Sequence, residues 1–176
     1  EDSIEADQRY EIDTLILATG FDAMTGALTS LDIVGRKGII LRDQWEKGAK
    51  SYLGLGVSNF PNLFTITGPG SPSVLSNMMP SIEQHVNWIS DCIGWMIEND
   101  KSVIESSSAA EEEWMELVNE IAGMTIFKTT ESWYNGSNID TKAKAFLPFI
   151  GVPVYTEKLE EITSKNYQGF IFDVSN

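Results

Sequence analysis

Three short apolar runs in the first part of the chain predict buried strands. Residues 14–18 are mostly apolar without alternation and stop at Thr19 and Gly20. That pattern is typical of a parallel strand covered on both faces. Residues 37–41 are a weaker example, and residues 62–67 are a stronger one that ends at a glycine- and proline-rich loop. We read residues 43–62 as a structured loop, and we predict an α/β fold.

Apolar residues at three- and four-residue spacing predict a helix over about residues 80–99. The positions that share this spacing are Ile82, Val86, Ile89, Ile93 and Met96, and the stripe is widened by Trp88, Cys92 and Trp95. Pro80 fits the first turn, and Ser81 with Gln84 fits a capping box.

The stretch from residue 98 to residue 120 is strongly acidic and predicts a second helix. Ser108 and Glu111 fit a capping box, and Gly123 fits the helix end. The apolar face between them consists of Trp114, Leu117, Val118 and Ile121. A solvated amphipathic helix explains this charge more simply than an acidic recruiting surface does. Residues 124–153 show little periodicity, and residues 167–174 predict a final short strand.

Composition and charge narrow the classes of function. The 176 residues suit one domain or at most two small ones, and 26 acidic against 12 basic residues give a formal charge of -14. We therefore predict no nucleic-acid partner, because a basic face is needed for one. No apolar run is long enough for a membrane span. A single cysteine and a single histidine disfavour a disulfide framework and a metal site.

No nucleophilic or acid–base constellation is visible, and we assign no catalytic residue within this chain. Ser81 and His85 lie four positions apart on the predicted helix without an orienting acid. We expect His85 on a helix face and Cys92 in the core. Residues 35–38 are interpreted as a turn. The chain has no Gly-x-Gly-x-x-Gly sequence and no Walker A sequence.

The loop between the third predicted strand and the first long helix, residues 68–79, is the best candidate for ligand binding. Ligands of α/β sheets bind beyond the carboxyl ends of strands, where a following helix directs free N–H groups. Val74, Leu75, Met78 and Met79 can pack on an aromatic ring system. A flavin fits, because a helix N-terminus stabilises the negative charge of its pyrimidine edge. A loop that merely connects strand to helix fits these features equally well.

An ordered series of short motifs resembles the class B flavoprotein monooxygenases. The motifs are DTLILATGFDA at 13–23, TGAL at 25–28, YLG at 52–54, FPNLF at 60–64, GPGSPS at 68–73, SNM at 76–78, SIEQH at 81–85 and SWYNG at 132–136. In this order and at this spacing they are similar to the C-terminal third of a Baeyer–Villiger monooxygenase, in the phenylacetone and steroid monooxygenase branch.

The resemblance implies a protein with two Rossmann-like dinucleotide-binding domains, one for FAD and one for NADPH. On this mapping, residues 1–13 return from the NADPH domain and residues 14–99 form the C-terminal part of the FAD-binding domain. Residues 100–176 supply an acidic helix, the family's mobile loop near Trp133 and a closing strand. The family's N-terminal fingerprints, signature motif and catalytic arginine are not in this chain. We therefore expect a piece of a longer enzyme, inactive and poorly folded without its N-terminal part.

The implied reaction inserts one oxygen atom of O₂ beside the carbonyl of a small apolar ketone. It gives an ester or lactone through a peroxyflavin, with NADPH as the reductant. No targeting signal is visible, so we expect a cytoplasmic enzyme. Two alternatives stay open: a flavin-containing monooxygenase that oxidises nitrogen or sulfur, and a non-catalytic acidic interaction module without a cofactor.

The resemblance also implies roles for individual residues. The implied cofactor-binding residues are Ala18, Thr19, Gly20, Asp22, Gly68, Pro69, Asn77, Met78, Met79 and Trp133. Among them, Met78 is implied to contact the flavin ring through its backbone N–H, and Trp133 to reach the NADP ribose. The implied substrate-pocket residues are Ser73, Val74, Leu75 and Met78.

Overall fold

The computed structural model describes residues 9–17, 22, 25–72, 77–125 and 151–173. Its helices are α1 (Gly26–Thr29), α2 (Leu41–Gln44), α3 (Met78–Glu98), α4 (Ser108–Gly123) and α5 (Val152–Ser164), with a 3-10 turn at Arg36–Gly38. The strands β1 (Val103–Ser106) and β2 (Phe170–Asp173) form a two-stranded sheet. The mixture of helix and strand is as predicted, but the described residues contain no parallel sheet.

The main core lies between the three long helices and a loop at residues 51–57. Cys92 on α3, Val118 on α4 and Tyr155 on α5 are fully buried there, against Leu53 and Leu55 of the loop. Burial of their apolar surface, at roughly 25 cal/mol per Å², supplies the main driving force for this packing. A smaller second cluster consists of Leu41, Trp45, Ala49, Val57 and Phe60.

The short antiparallel sheet fastens the end of the described chain to α3. Its register runs from Val103 opposite Asp173 to Ser106 opposite Phe170. The ring centroid of Phe172 lies 5.0 Å from that of Trp95 on α3, a spacing typical of favourable aromatic pairs. The predicted final strand is therefore confirmed.

Both helices predicted from periodicity are confirmed, but neither predicted capping box forms. The Asn77 side chain caps α3, while Ser81 is buried inside the helix. Ser107 caps α4, where its Oγ accepts from the Ala110 N–H at 3.2 Å. Glu111 instead turns its carboxylate inward and is buried. In both cases a residue just outside the predicted start provides the cap.

The predicted strands at residues 37–41 and 62–67 are wrong. Lys37 has a φ of 57°, and the chain around it forms the 3-10 turn before α2 begins. Asn62 and Thr67 have φ values of 59° and 53°, so left-handed conformations interrupt the second run at both ends. Each run contributes one isolated β-bridge: Ile40 of the first run pairs with Val34, and Phe64 of the second pairs with Gly56.

Residues 14–17 are also not a strand, and residue 18 lies outside the described part of the chain. Their apolar side chains are strongly exposed, with 69% of Leu15 and 82% of Ile16 accessible. A strand needs a hydrogen-bonded neighbour, and the described residues provide none at this position. Helix α5 was not predicted, although Tyr155, Leu159 and Ile162 occupy its buried face.

Candidate functional site

The predicted ligand loop begins with a buried turn that side chains and backbone hold in place. The Gly68 N–H donates to the Gly54 carbonyl at 3.1 Å, and the Ser71 hydroxyl donates to the Gly68 carbonyl at 2.7 Å. The Ser51 hydroxyl donates to the Pro69 carbonyl at 2.5 Å. Irregular backbone can be buried only when its polar groups are paired, and these bonds meet that requirement.

Two glycines allow this turn to pack closely. Gly54 has a φ of 72°, and a Cβ there would overlap the Ser71 side chain. At Gly68, a Cβ would lie 2.5 Å from Thr65 Oγ1 and 2.7 Å from the Gly54 carbonyl oxygen. The turn is therefore built from two backbone segments in direct contact, which leaves no room for a side chain between them.

The N-terminus of α3 leaves few donors available to a ligand. A helix starts with N–H groups that have no acceptor inside the helix. The Asn77 side chain accepts the Met79 N–H at 3.1 Å, and Pro80 has no N–H. In the first helical turn this leaves the N–H of Met78 without an acceptor in the helix. The Met79 side chain is 61% exposed beside it.

His85 joins the turn to the helix. Its Nδ1 accepts from the Thr67 N–H at 2.9 Å, and its Nε2 lies 2.8 Å from the Tyr155 hydroxyl. That hydroxyl donates to the Leu53 carbonyl at 2.7 Å. Burial lowers the pKa of His85 from 6.5 to about 4, so the imidazole is neutral at physiological pH. His85 is fully buried, which corrects the expectation of a helix-face residue.

The described residues contain six of the implied cofactor residues. Gly68 and Pro69 lie in the buried turn, and Asn77, Met78 and Met79 form the start of α3. Asp22 lies before α1, where its carboxylate accepts from Thr25 Oγ1 at 3.0 Å and its carbonyl accepts from the Gly26 N–H at 3.0 Å. The residues that lie outside the described part of the chain are Ala18, Thr19, Gly20, Ser73, Val74, Leu75 and Trp133.

Two further features are absent from the described residues. In that part of the chain, no cluster of histidine, cysteine, aspartate and glutamate side chains could hold a metal ion. None of the helices in the described ranges combines the length and hydropathy needed to cross a bilayer. Cys92 is buried in the core as predicted, and burial raises the pKa of its thiol to about 12.

The contribution of Tyr155 on α5 to this site was not predicted from the sequence. Tyr155 is distant from His85 in sequence, and its polar role depends on a contact between α5 and α3. The signal that could have found the helix is the spacing of Tyr155, Leu159 and Ile162, preceded by Pro153 near the helix start. That spacing predicts burial but not the hydrogen bond.

The chain is similar to known monooxygenases along nearly its whole length. It is 40% identical over 161 residues to the cyclohexanone 1,2-monooxygenase of an Acinetobacter species, covering 91% of this chain and 29% of that protein. It is 39% identical over 172 residues to the phenazine N-monooxygenase PhzNO1 of Lysobacter antibioticus, covering 97% of this chain and 31% of that protein. The chain thus spans about a third of the length of these relatives. No family model matches it.

Solved structures of similar proteins share the fold. An oxidised steroid monooxygenase bound to NADP is 41% identical, with a TM-score of 0.84 over 97% of this chain and 32% of that one. The protein OTEMO in complex with FAD and NADP is 34% identical, with a TM-score of 0.85 over 96% of this chain and 31% of that one. By these matches in sequence and structure, the chain is similar to a segment, about a third in length, of the class B flavoprotein monooxygenases.

Proposed function

We propose that this chain is the C-terminal part of an FAD- and NADPH-dependent Baeyer–Villiger monooxygenase. The full enzyme inserts one oxygen atom of O₂ beside the carbonyl of a small apolar ketone and gives an ester or lactone. Relatives named as ketone monooxygenases, and neighbours solved with FAD and NADP, support this assignment. The catalytic residues lie in the part of the enzyme that precedes this chain.

The arrangement at the start of α3 carries the proposal. The Met78 N–H is left without an acceptor in the helix, at the positive end of a helix of 21 residues. Such a terminus suits an electron-rich, hydrogen-bond-accepting ligand edge, which the pyrimidine edge of a flavin provides. The exposed Met79 side chain adds a polarizable apolar surface for a planar ring. These residues fit FAD, which when bound supplies the redox chemistry that activates O₂.

This chain's residues position the cofactor and exclude water rather than react. The buried turn at Gly68 and Pro69 would support one side of the pocket for the ring, and Met78 would donate its backbone N–H to the ring. Asn77 keeps the first turn in register by capping the Met79 N–H. A dry site matters because water would protonate the oxygen-transferring species and let its oxygen leave as hydrogen peroxide before the ketone reacts.

Other roles in the proposal come from the family resemblance alone. The resemblance assigns Ala18, Thr19 and Gly20 to the cofactor cleft, through their backbone, with Asp22 just beyond them. It assigns Ser73, Val74 and Leu75 to the substrate-pocket bulge and Trp133 to a contact with the NADP ribose.

The N-terminal part of the enzyme is the proposed partner of an apolar face on α3. Val86, Ile93 and Ile97 recur along one exposed side of the helix, and 72% of Ile97 is accessible. A helix with two apolar faces is normally buried on both. In the proposed arrangement, residues 14–99 complete an FAD domain of Rossmann type, and the upstream sheet covers this face. Residues 100–176 pack on that domain from the other side.

A second function is favoured by one relative. The phenazine N-monooxygenase is 39% identical to this chain and matches as much of it as the ketone monooxygenases do. Oxidation of a nitrogen atom needs an electrophilic oxygen donor, whereas attack on a ketone carbonyl needs a nucleophilic one. The two functions therefore differ in the protonation of the same oxygen-transferring species, not in the cofactors.

The test uses the full-length enzyme that contains this chain. We expect it to purify with the visible absorption of bound FAD and to oxidise NADPH faster when a cyclic or linear ketone is added. Under ¹⁸O₂ the product should be an ester or lactone with one labelled oxygen atom. An enzyme that converts phenazine or amine substrates but no ketone would establish the second function. A colourless enzyme that takes up no added FAD would refute both.

A further inference from the structure

The His85–Tyr155 pair connects three separate parts of the chain. His85 belongs to α3, Tyr155 to α5, and the pair bonds to the loop backbone at Thr67 and Leu53. Both side chains are fully buried. Buried hydrogen-bonded networks hold their members in one arrangement, because a lost partner leaves a polar group without solvation.

The direction of each hydrogen bond follows from the donors present. The backbone N–H of Thr67 can only donate, so Nδ1 of His85 accepts and carries no proton. A neutral imidazole then carries its proton on Nε2 and donates it to the Tyr155 oxygen. The Tyr155 proton is directed to the Leu53 carbonyl at 2.7 Å. Each of these three hydrogen bonds therefore has one donor and one acceptor. Protonation of Nδ1 would remove the acceptor of the Thr67 N–H.

Thr67, whose N–H is held by this hydrogen-bond network, has a backbone conformation of high energy. Thr67 is β-branched and has a φ of 53°, a combination that is a genuine outlier among residues of folded proteins. Without the bond from its N–H to His85, an extended conformation is favoured at this position. Relaxation of Thr67 would move Gly68 and Pro69, which follow it directly.

We propose that His85 and Tyr155 are positioning residues that hold the Thr67–Gly68 turn in the conformation that seats the flavin. The proposal rests on the proposed function, because the turn matters for catalysis only if FAD lies against it. It assigns a cofactor-dependent role to α5, which contributes none of the implied binding residues. The pair acts through the turn and does not touch the reacting atoms.

The test compares variants of the full-length enzyme. Tyr155→Phe removes the hydroxyl alone, and His85→Leu removes both ring nitrogens. We expect FAD to bind about tenfold more weakly to each, which corresponds to one lost buried hydrogen bond. The visible absorption and circular dichroism of the bound flavin should shift, and more hydrogen peroxide should be released per NADPH oxidised. His85→Asn should recover part of the loss, because the Asn oxygen can accept the Thr67 N–H.

Tyr52→Phe is the matched control. It also removes a buried tyrosine hydroxyl that donates to a backbone carbonyl, that of Gln168 at 2.9 Å. It should lower the melting temperature without changing the flavin spectrum or the yield of peroxide. If Tyr155→Phe and His85→Leu also melt earlier but keep the wild-type spectrum, FAD affinity and coupling, the pair is structural only and the inference fails while the proposed function stands. If the wild-type enzyme binds no FAD, both fail together.

Discussion

The carboxylate of Glu111 on α4 accepts a hydrogen bond from the backbone N–H of Ser58 at 2.9 Å. The loop residue that follows is held in the same way, because the Glu105 carboxylate accepts the Asn59 N–H at 2.9 Å. Two acidic side chains from the C-terminal half thus satisfy consecutive backbone donors of the central loop. Part of the strong negative charge of this chain therefore has a structural role.

Removal of the Glu111 carboxylate should destabilise the enzyme. Glu111→Ala leaves the buried Ser58 N–H without an acceptor, which costs about 1–3 kcal/mol. Glu112→Ala, an exposed neighbour, should change the free energy of unfolding by less than about 0.5 kcal/mol. Chemical denaturation of the full-length enzyme, followed by flavin fluorescence, measures both. Equal stabilities for the two variants would contradict this role.

The charge of Glu111 should itself be unfavourable at neutral pH. Burial raises the pKa of this carboxyl above 4.5, so the folded state resists ionisation and loses stability as the pH rises past that value. Glu111→Gln keeps an acceptor for the Ser58 N–H and removes the buried charge. The stability of this variant relative to wild type should therefore be higher at pH 7 than at pH 4. A difference that stays constant over this range would rule out the effect.

Contact between Gly54 and Ser71 should make position 54 intolerant of any side chain. Gly54→Ala adds left-handed strain of about 1–2 kcal/mol and overpacking of about 1–3 kcal/mol. Gly38→Ala is the matched control, because Gly38 also has a positive φ, 77°, but has open space around its Cβ position. We expect loss of FAD retention in Gly54→Ala only. Similar melting temperatures for the two variants would show that the clash is relieved by relaxation.

Helices α3 and α4 could be predicted from sequence because their signal is local. The spacing of Ile82, Val86, Ile89, Ile93 and Met96 is a property of a short window, and it located the helix correctly. It did not identify the buried face, which consists of Trp88, Cys92 and Met96, while Val86 and Ile93 are exposed. The apolar runs at residues 37–41 and 62–67 are an equally local signal, but neither run forms a strand. Two of the left-handed residues in these runs are instead bonded to distant partners: the Asn62 N–H donates to the Ile104 carbonyl, and the Thr67 N–H donates to His85 Nδ1.

The candidate site could likewise be predicted only where its residues are close together in sequence. Motif order located the turn at Gly68 and the start of α3, because such motifs are contiguous in sequence. The contribution of Tyr155 could not be predicted, since it comes from a helix whose packing against α3 is a tertiary feature. Glu111 was assigned to a cap for the same reason: its local sequence fits a capping box, but its bond is to Ser58.

A charge on the exposed apolar face of α3 should disturb assembly with the rest of the enzyme. Ile93→Glu places a carboxylate on the face that we assign to the upstream sheet, where an unpaired buried charge is strongly unfavourable. Asn87→Glu adds the same charge on an exposed polar side of the helix. We expect little soluble, FAD-containing full-length enzyme from Ile93→Glu and normal amounts from Asn87→Glu. Equal yields would mean that the face stays open to solvent.

Lowering the pH should destabilise the enzyme through His85. The pKa of this group is about 4 when folded and 6.5 in the unfolded chain, so between these values only the unfolded state takes up the proton. Its neutral form therefore contributes full stability above pH 6.5, and that contribution falls as the pH drops toward 4. Between pH 7 and pH 5 the loss amounts to about 2 kcal/mol.

His85→Asn isolates this effect from other titrating groups of the full-length enzyme. The variant lacks the ionisable ring, so the stability difference between wild type and variant should shrink by about 2 kcal/mol from pH 7 to pH 5. Histidine-selective NMR gives an independent check, since the resonance missing in His85→Asn should titrate near pH 4 in the wild type. A midpoint near 6.5 would mean that water reaches the imidazole, and the hydrogen bond from Thr67 to Nδ1 would then be lost within the physiological range.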